Sequence, residues 1–562
     1  MFVRPSWAPV YLGCAVLLVA CGGGGSGGGG GLGGFAPPAA GSGGGGASGS
    51  GGASTPGSGG AAGSGGTAAA STVLSGRVTY ESVPSANGVL DYGAVARKPV
   101  RGVPLDVVDA AGNVKASATT DADGRYSVTV AAGGPVAVRV LAKLVRGSGS
   151  GSADVAVRDN TQSGGIHGIQ TNFFALGGAT ATRDINAASG WTGSAYGSDR
   201  LAAPFAVLDA IYAAQSKVLS TAAGTVFPPL DVYWSPDNRP AGGAPELGQI
   251  GTSHFEDRTR SGGGRSIYVL GQENVDTDEY DTSVIAHEWG HYYQSAFSRD
   301  DSPGGPHSTG DLADRRLAFS EGWGNAWSGI ALGRRDYSDS AGPRQSQGFA
   351  FALDTGAPST PGWYKEFSVQ SVLWNLNNQI GFTPIHQAMT QGLKNTPAVT
   401  SIHAFASAFI AVASSAQQAA LNSLLAGQRI TGSSDAFGGS ETNDGGLGAF
   451  ALPLYTSAAV GTPKQVCVTD QADPGGSGNK LGSFAYLRLP ISQARDYTVN
   501  VSGPAGSDPD FRVYQGALVG GAANVQAGSD QAKVKLGAGT AVVAVQDFNV
   551  SSANTCFTVT VN

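Results

Sequence analysis

The chain has 562 residues, a formal net charge of −7, only 13% charged residues and 88 glycines. This length calls for several domains. A mildly acidic chain so poor in charge has no basic stripe of the kind that grips nucleic acid, which excludes that partner. Much of the glycine lies in one N-terminal block, so composition is read segment by segment.

Arg4 gives a short basic start, and Tyr11 to Ala20 is an apolar run too short to span a bilayer. Leu18-Val19-Ala20-Cys21 resembles a bacterial lipobox. That resemblance implies a signal peptide over 1–20 and a lipid on the Cys21 thiol. Gly22, where an aspartate is missing, fits sorting to a Gram-negative outer membrane. Residues 21–71 are almost entirely Gly, Ser, Ala, Thr and Pro. Such a segment cannot bury enough apolar surface to offset its ordering entropy, so a flexible tether is expected.

Over 72–160 short alternating segments predict a small β-sandwich. Val73 to Val78 and Val103 to Val108 read as strands, with a turn from Asp109 to Asn113. Ala118 to Val128 reads as strand, Asp-Gly turn, strand, a hairpin. This stretch resembles the carboxypeptidase regulatory-like module, commonly an accessory domain.

Over 165–455 the pattern is mixed and predicts an α+β domain. Ala202 to Ser220 has helical spacing, and Leu230 to Trp234 and Ser266 to Leu270 read as strands. Later helices are expected at Ser368 to Gln379 and, as one apolar core helix, at Ile402 to Leu425.

His287-Glu288-Trp289-Gly290-His291 carries the chemistry. On a helix, residues four apart share a face, so both imidazoles converge and Glu288 lies beside them. Val284-Ile285-Ala286 continues the helical apolar spacing, and Asp281 or Thr282 is the expected cap. Catalytic zinc takes three protein ligands and leaves one position for water. Glu321, in Phe319-Ser320-Glu321-Gly322-Trp323, is the best third ligand on a returning helix. Asn325, four residues on, shares its face and is placed to hydrogen-bond a ligand histidine.

These two motifs resemble those of the gluzincins, the thermolysin-like and fungalysin-like zinc peptidases. The resemblance implies His287, His291 and Glu321 as zinc ligands and Glu288 as general base. It implies a thermolysin-like α+β domain; with the β-sandwich read over 72–160 and a second expected over 460–562, the expected chain is multidomain, that domain flanked by two all-β sandwiches. Asn325 departs from the family, which usually has an aspartate there. A metzincin would need a third histidine where Phe297 stands, so that reading fails. The family also uses a later His or Tyr to stabilise the oxyanion. Tyr364 is the expected donor, with His307 next. His254, His386 and His403 have no partner motif and are expected to be structural or exposed. The Ser266–Leu270 strand would act as the edge that pairs with substrate backbone. The acidic run Asp276 to Asp281 makes calcium a second candidate cation, although acids before a helix N-terminus have a simpler explanation.

Over 460–562 short strands return. Asp508-Pro509-Asp510-Phe511-Arg512-Val513-Tyr514 resembles a strand of bacterial pre-peptidase C-terminal domains, so a second sandwich is expected. Cys467 and Cys556 bracket it and form the only plausible disulfide among four cysteines, since Cys14 and Cys21 belong to the leader. The expected activity is zinc-dependent hydrolysis of protein or peptide substrates at the cell envelope. Endopeptidase action is favoured because no G-x-M-E-N exopeptidase motif occurs. Two rivals are a surface adhesion protein with a vestigial zinc domain and a lipoprotein with a structural zinc closed by a fourth ligand.

Overall fold

A computed structural model of the chain describes residues 71–146, 155–197, 199–524, 528–549 and 554–562. The expected signal peptide, Cys21 and the tether that follows lie outside the described residues. The described chain is multidomain and built mostly of β-sheet, with seven α-helices among the described residues.

The first unit has two sheets. The long strand Ser71–Ser82 pairs antiparallel with Ala96–Pro99 and Arg125–Ala131, and parallel with Thr180–Thr182 and Ile185–Ala187. The second sheet runs Gly168–Gln170, Val136–Leu141, Pro104–Asp109, Val114–Thr119. Alternate residues of these strands, among them Leu74, Val78, Leu105, Val107, Val138 and Val140, share one core, as the two-residue side-chain period of a strand requires.

The Asp121–Gly124 turn does not close a hairpin. Val114–Thr119 pairs with Pro104–Asp109, whereas Arg125–Ala131 pairs with Ser71–Ser82 in the other sheet. Asp121 Oδ1 accepts from the backbone N–H of Asp123 and Arg125, so the expected turn chemistry is present. That chemistry reverses the chain; it does not decide whether the flanking strands stay neighbours.

The central sheet runs Gly165–Ile166, Val155–Asp159, Leu230–Trp234, Arg265–Val269, His254–Asp257, with Lys143–Leu144 against Val155–Asp159. Its membership crosses the boundary expected at 160–165. Val155–Asp159 enters the central sheet, while strands between 168 and 187 return to the first unit. The strand read at Ser266–Leu270 lies between two neighbours and is not an edge; the edge is His254–Asp257.

Beyond this sheet come the helices α1 (Ala203–Thr221), α2 (Thr282–Phe297), α3 (Arg315–Leu332), α4 (Glu366–Ile380), α5 (Phe382–Gln387), α6 (Ile402–Ile410) and α7 (Ser415–Gly427). The helix expected from 402 to 425 is therefore two. Ser414 starts α7 with a capping box, its side chain bonded to Gln417 N and the Gln417 side chain reaching back to Ser414 N. Apolar composition continues across the break, which is why the pattern read as one helix.

The C-terminal unit is a sandwich of five and four strands. Lys464–Thr469 pairs with the last strand, Asn554–Val561, and the Cys467–Cys556 disulfide crosses that pair.

Candidate metal centre

Helices α2 and α3 approach closely. A Cβ on Gly290 would meet Gly324 Cα at 3.2 Å, and one on Gly324 would fall 2.7–2.9 Å from three ring atoms of His287. Glycine at both places lets the helices touch where the motif residues sit. An aromatic layer seals the contact: Trp289 and Tyr293 stack on Trp327, and Trp323 Nε1 donates to Gly290 O at 3.0 Å. All of His287, Glu288, His291 and Glu321 are buried.

The arrangement decides the tautomers. His287 Nδ1 lies 3.0 Å from Asn325 Oδ1, an acceptor, so Nδ1 carries the proton and Nε2 keeps its lone pair. His291 Nδ1 lies 3.3 Å from Gln294 Oε1 and 3.2 Å from Ser320 Oγ. Ser320 Oγ also lies 2.8 Å from Asp300 Oδ2 and donates there, so its oxygen is open to the imidazole N–H. Both Nε2 atoms then point inward. They are 3.1 Å apart, and they lie 3.2 Å (His287) and 3.5 Å (His291) from Glu321 Oε2. The ligand atoms of these three residues all lie within 4.8 Å of one another.

Three acceptor atoms this close repel unless a cation sits among them. Burial disfavours the charged imidazole of His291, but Glu321 first, then Glu288 and Asp300, outweigh it and push the group up to about 9. Burial would likewise raise Glu321, yet His307 and His291 hold its carboxyl well below the usual range. Neither Oε of Glu288 and not Oε1 of Glu321 has a hydrogen-bond partner among the described residues. Buried carboxylate oxygens are rarely left so, and these three sit at the residues that carry the motif.

No protein-family model matches the sequence, and no curated protein matches it either. Among solved structures, the pre-peptidase C-terminal domain of a Bacillus anthracis collagenase is similar over 19% of this chain and 94% of its own, at 8% identity and a TM-score of 0.15. A surface-associated copper-binding protein of Methylomicrobium album BG8 covers 19% of this chain and 98% of its own, at 9% identity and a TM-score of 0.16. A periplasmic inhibitor of g-type lysozyme from Aeromonas hydrophila covers 19% and 97%, at 16% identity and a TM-score of 0.13. Likenesses at this level add nothing to the reading of the site.

Of the residues named from sequence, His287, Glu288, His291, Glu321 and Asn325 come together, whereas the Tyr364 hydroxyl is engaged by another side chain. The Tyr364 hydroxyl donates to Asn443 Oδ1 at 2.9 Å. His307 is the residue that does arrive: its Nε2 lies 3.3 Å from Glu321 Oε2, and its Nδ1 lies 2.9 Å from Glu366 Oε2. His307 does not belong to the set of three whose ligand atoms all lie within 4.8 Å. His403 is buried against Glu441, 2.8 Å away, and His386 Nδ1 meets the Tyr293 hydroxyl at 2.8 Å, both structural pairings. Asp281 stands at the N-cap position of α2 but makes no capping bond; its carboxylate accepts from Ser340 N at 3.1 Å and from the Ser340 and Ser85 hydroxyls instead.

The acidic run divides. Glu279 pairs with Arg200 at 2.9 Å. Asp276 and Asp278 meet Asp339, and these three carboxylates form a second candidate metal-binding group. Burial first, then repulsion from Asp281 and Glu279, pushes Asp276 up to about 7. Asp339 had no sequence signal, because it sits on a separate strand, Asp336–Asp339. Gln294 was not named from sequence, although its place three residues after His291 on the same helix was the signal that could have found it. Asp300 and Glu366 were not, since only the fold brings them in.

Proposed function

We propose that the chain is a zinc-dependent peptidase acting outside the cytoplasm, an endopeptidase on protein or peptide substrates, with a thermolysin-like arrangement of its central domain. One observation carries the reading. His287 Nε2, His291 Nε2 and Glu321 Oε2 face one another at 3.1, 3.2 and 3.5 Å. Bonds of roughly 2.0–2.1 Å around a tetrahedral ion place neighbouring ligand atoms roughly 3.3–3.4 Å apart. Two neutral imidazoles and one carboxylate, with the second nitrogen of each imidazole held by a hydrogen bond, are a donor set that suits zinc.

When bound, zinc supplies a Lewis acid and lowers the pKa of a coordinated water to roughly 7. The remaining work belongs to the chain. Asn325 and Gln294 fix the two imidazoles so that both lone pairs aim inward. Glu288, next to the first ligand and with both oxygens unpartnered among the described residues, takes the proton of the attacking water and returns it to the leaving amine. The Trp289, Trp323 and Trp327 layer keeps water away from the back of the site.

The Cys467–Cys556 disulfide supports an oxidising compartment. The lipobox-like segment supports an outer-membrane lipoprotein anchored through Cys21. No helix among the described residues is long and apolar enough to cross a membrane. The Asp276, Asp278 and Asp339 carboxylates offer all-oxygen ligation, which suits calcium. The rival reading, a surface-binding protein with a vestigial site, has the intact ligand set against it.

The test is hydrolysis of a mixed peptide library by the full chain. Activity is expected, abolished by a chelator and restored by zinc. Glu288→Gln should lose it by at least roughly 100-fold while keeping its metal. A Glu288→Gln protein as active as the wild type removes the hydrolase reading.

A further inference from the structure

His307 reaches Glu321 from a loop, and loops are the least rigid way to place a working side chain. This loop is gripped from both sides. On one side, Ala313 N donates to Tyr364 O at 2.8 Å, Lys365 Nζ to Gly310 O at 2.5 Å, and Glu366 takes His307 Nδ1 at 2.9 Å. These contacts come from the start of α4, within the central domain.

The other side comes from the C-terminal unit. Asn479 Nδ2 donates to Gly304 O at 2.8 Å and to Pro306 O at 3.1 Å. Lys480 Nζ donates to Pro306 O at 2.6 Å and pairs with Asp311 at 3.2 Å. The backbones then join as a short antiparallel bridge between Ala313 and Lys480, with Asp314 N to Asn479 O at 2.9 Å and Leu481 N to Leu312 O at 2.7 Å. Gly305 has φ +93°, and a Cβ there would lie 3.0 Å from Asn479 Nδ2, so the loop is shaped to this contact. Asn479 and Lys480 are both buried. Pro306, which accepts from both, immediately precedes His307.

We propose that Asn479 and Lys480 of the C-terminal unit are positioning residues for the metal centre: they fix the 304–313 loop so that His307, braced by Glu366, holds Glu321 in its ligand orientation. The inference rests on the metal-site reading above. It assigns the C-terminal sandwich a part in the site, beyond stability or surface attachment. The geometry explains why two polar side chains of that unit are buried against backbone carbonyls of another unit: hydrogen bonds there are directional and set the loop's register, which apolar packing alone would not do.

The experiment uses the full chain loaded with cobalt, whose visible absorption reports ligand geometry, alongside steady-state peptide hydrolysis. Variants are His307→Ala, Asn479→Ala and the double variant, with Lys480→Met repeating the test if Asn479→Ala does not fold. Asn479→Ala should shift the cobalt spectrum in the same direction as His307→Ala. Its kcat should fall roughly 10–100-fold with KM within about threefold. The double variant should be no worse than His307→Ala alone, because both substitutions remove one function. A cobalt spectrum unchanged by Asn479→Ala, or by Lys480→Met where it takes that variant's place, or losses that multiply in the double variant, overturns the proposal and leaves the metal site standing. A wild-type chain that takes up no cobalt overturns the metal-site reading, and this inference with it.

Discussion

At the scale of single residues, the site is a problem of lone pairs. Asn325 matters because it accepts from His287 Nδ1 and so commits Nε2 to the interior. Asn325→Ala leaves a buried N–H without its acceptor, a cost of roughly 1–3 kcal/mol. Metal affinity should drop roughly 10–100-fold, read by competition with a chromogenic chelator. Asn325→Asp keeps the acceptor and adds charge, so its affinity should equal or exceed that of the wild type. The convergence of His287 and His291 was legible because two histidines four apart on one helix must share a face. His307 was harder to place, because its partner Glu366 is 59 residues away and nothing local marks the pairing. Tyr364 looked suitable by type and chain position, but Asn443 takes its hydroxyl.

At the scale of elements, polar pairs hold the helices that back the site. The Glu441 carboxylate accepts from His403 on α6 at 2.8 Å and from the N–H groups of Thr431 and Asn443. Burial opposes its ionisation, but these bonds win and lower the carboxyl to about 2. A depressed carboxyl stabilises the fold above its unfolded value of roughly 4.3, and the gain disappears as pH falls toward 2. Melting temperature should therefore fall between pH 5 and 2.5. Glu441→Gln should be less stable at neutral pH and show a shallower acid slope. An identical slope in the variant would assign the acid loss to other groups. Element type followed from periodicity in the segments that were read, such as Ala202 to Ser220 and Leu230 to Trp234, but partnership did not. The Asp-Gly turn at 121–124 reads as a hairpin whether its strands share a sheet or not. An apolar composition running through 411–413 hid a helix break that the Ser414–Gln417 capping box marks.

At the scale of the molecule, the units are interlocked. Ser71–Ser82 takes two parallel partners from residues 180–187, and Val136–Leu141 takes an antiparallel one from 168–170. A composition change cannot show such exchanges, since each strand reads the same whichever sheet it joins. A fragment ending at 160 leaves those edges unpaired, so it should be unfolded by circular dichroism, whereas one ending near 190 should gain structure. Equal folding of the two fragments would restore a boundary at 160. Metal analysis reads the ion itself. After zinc loading and exhaustive dialysis, the wild-type chain should hold about one zinc in the three-ligand site, and Glu321→Ala and His287→Ala should lose it. A wild-type chain that retains no zinc, or a His287→Ala, His291→Ala double variant that retains as much as wild type, would mean that these residues hold no zinc.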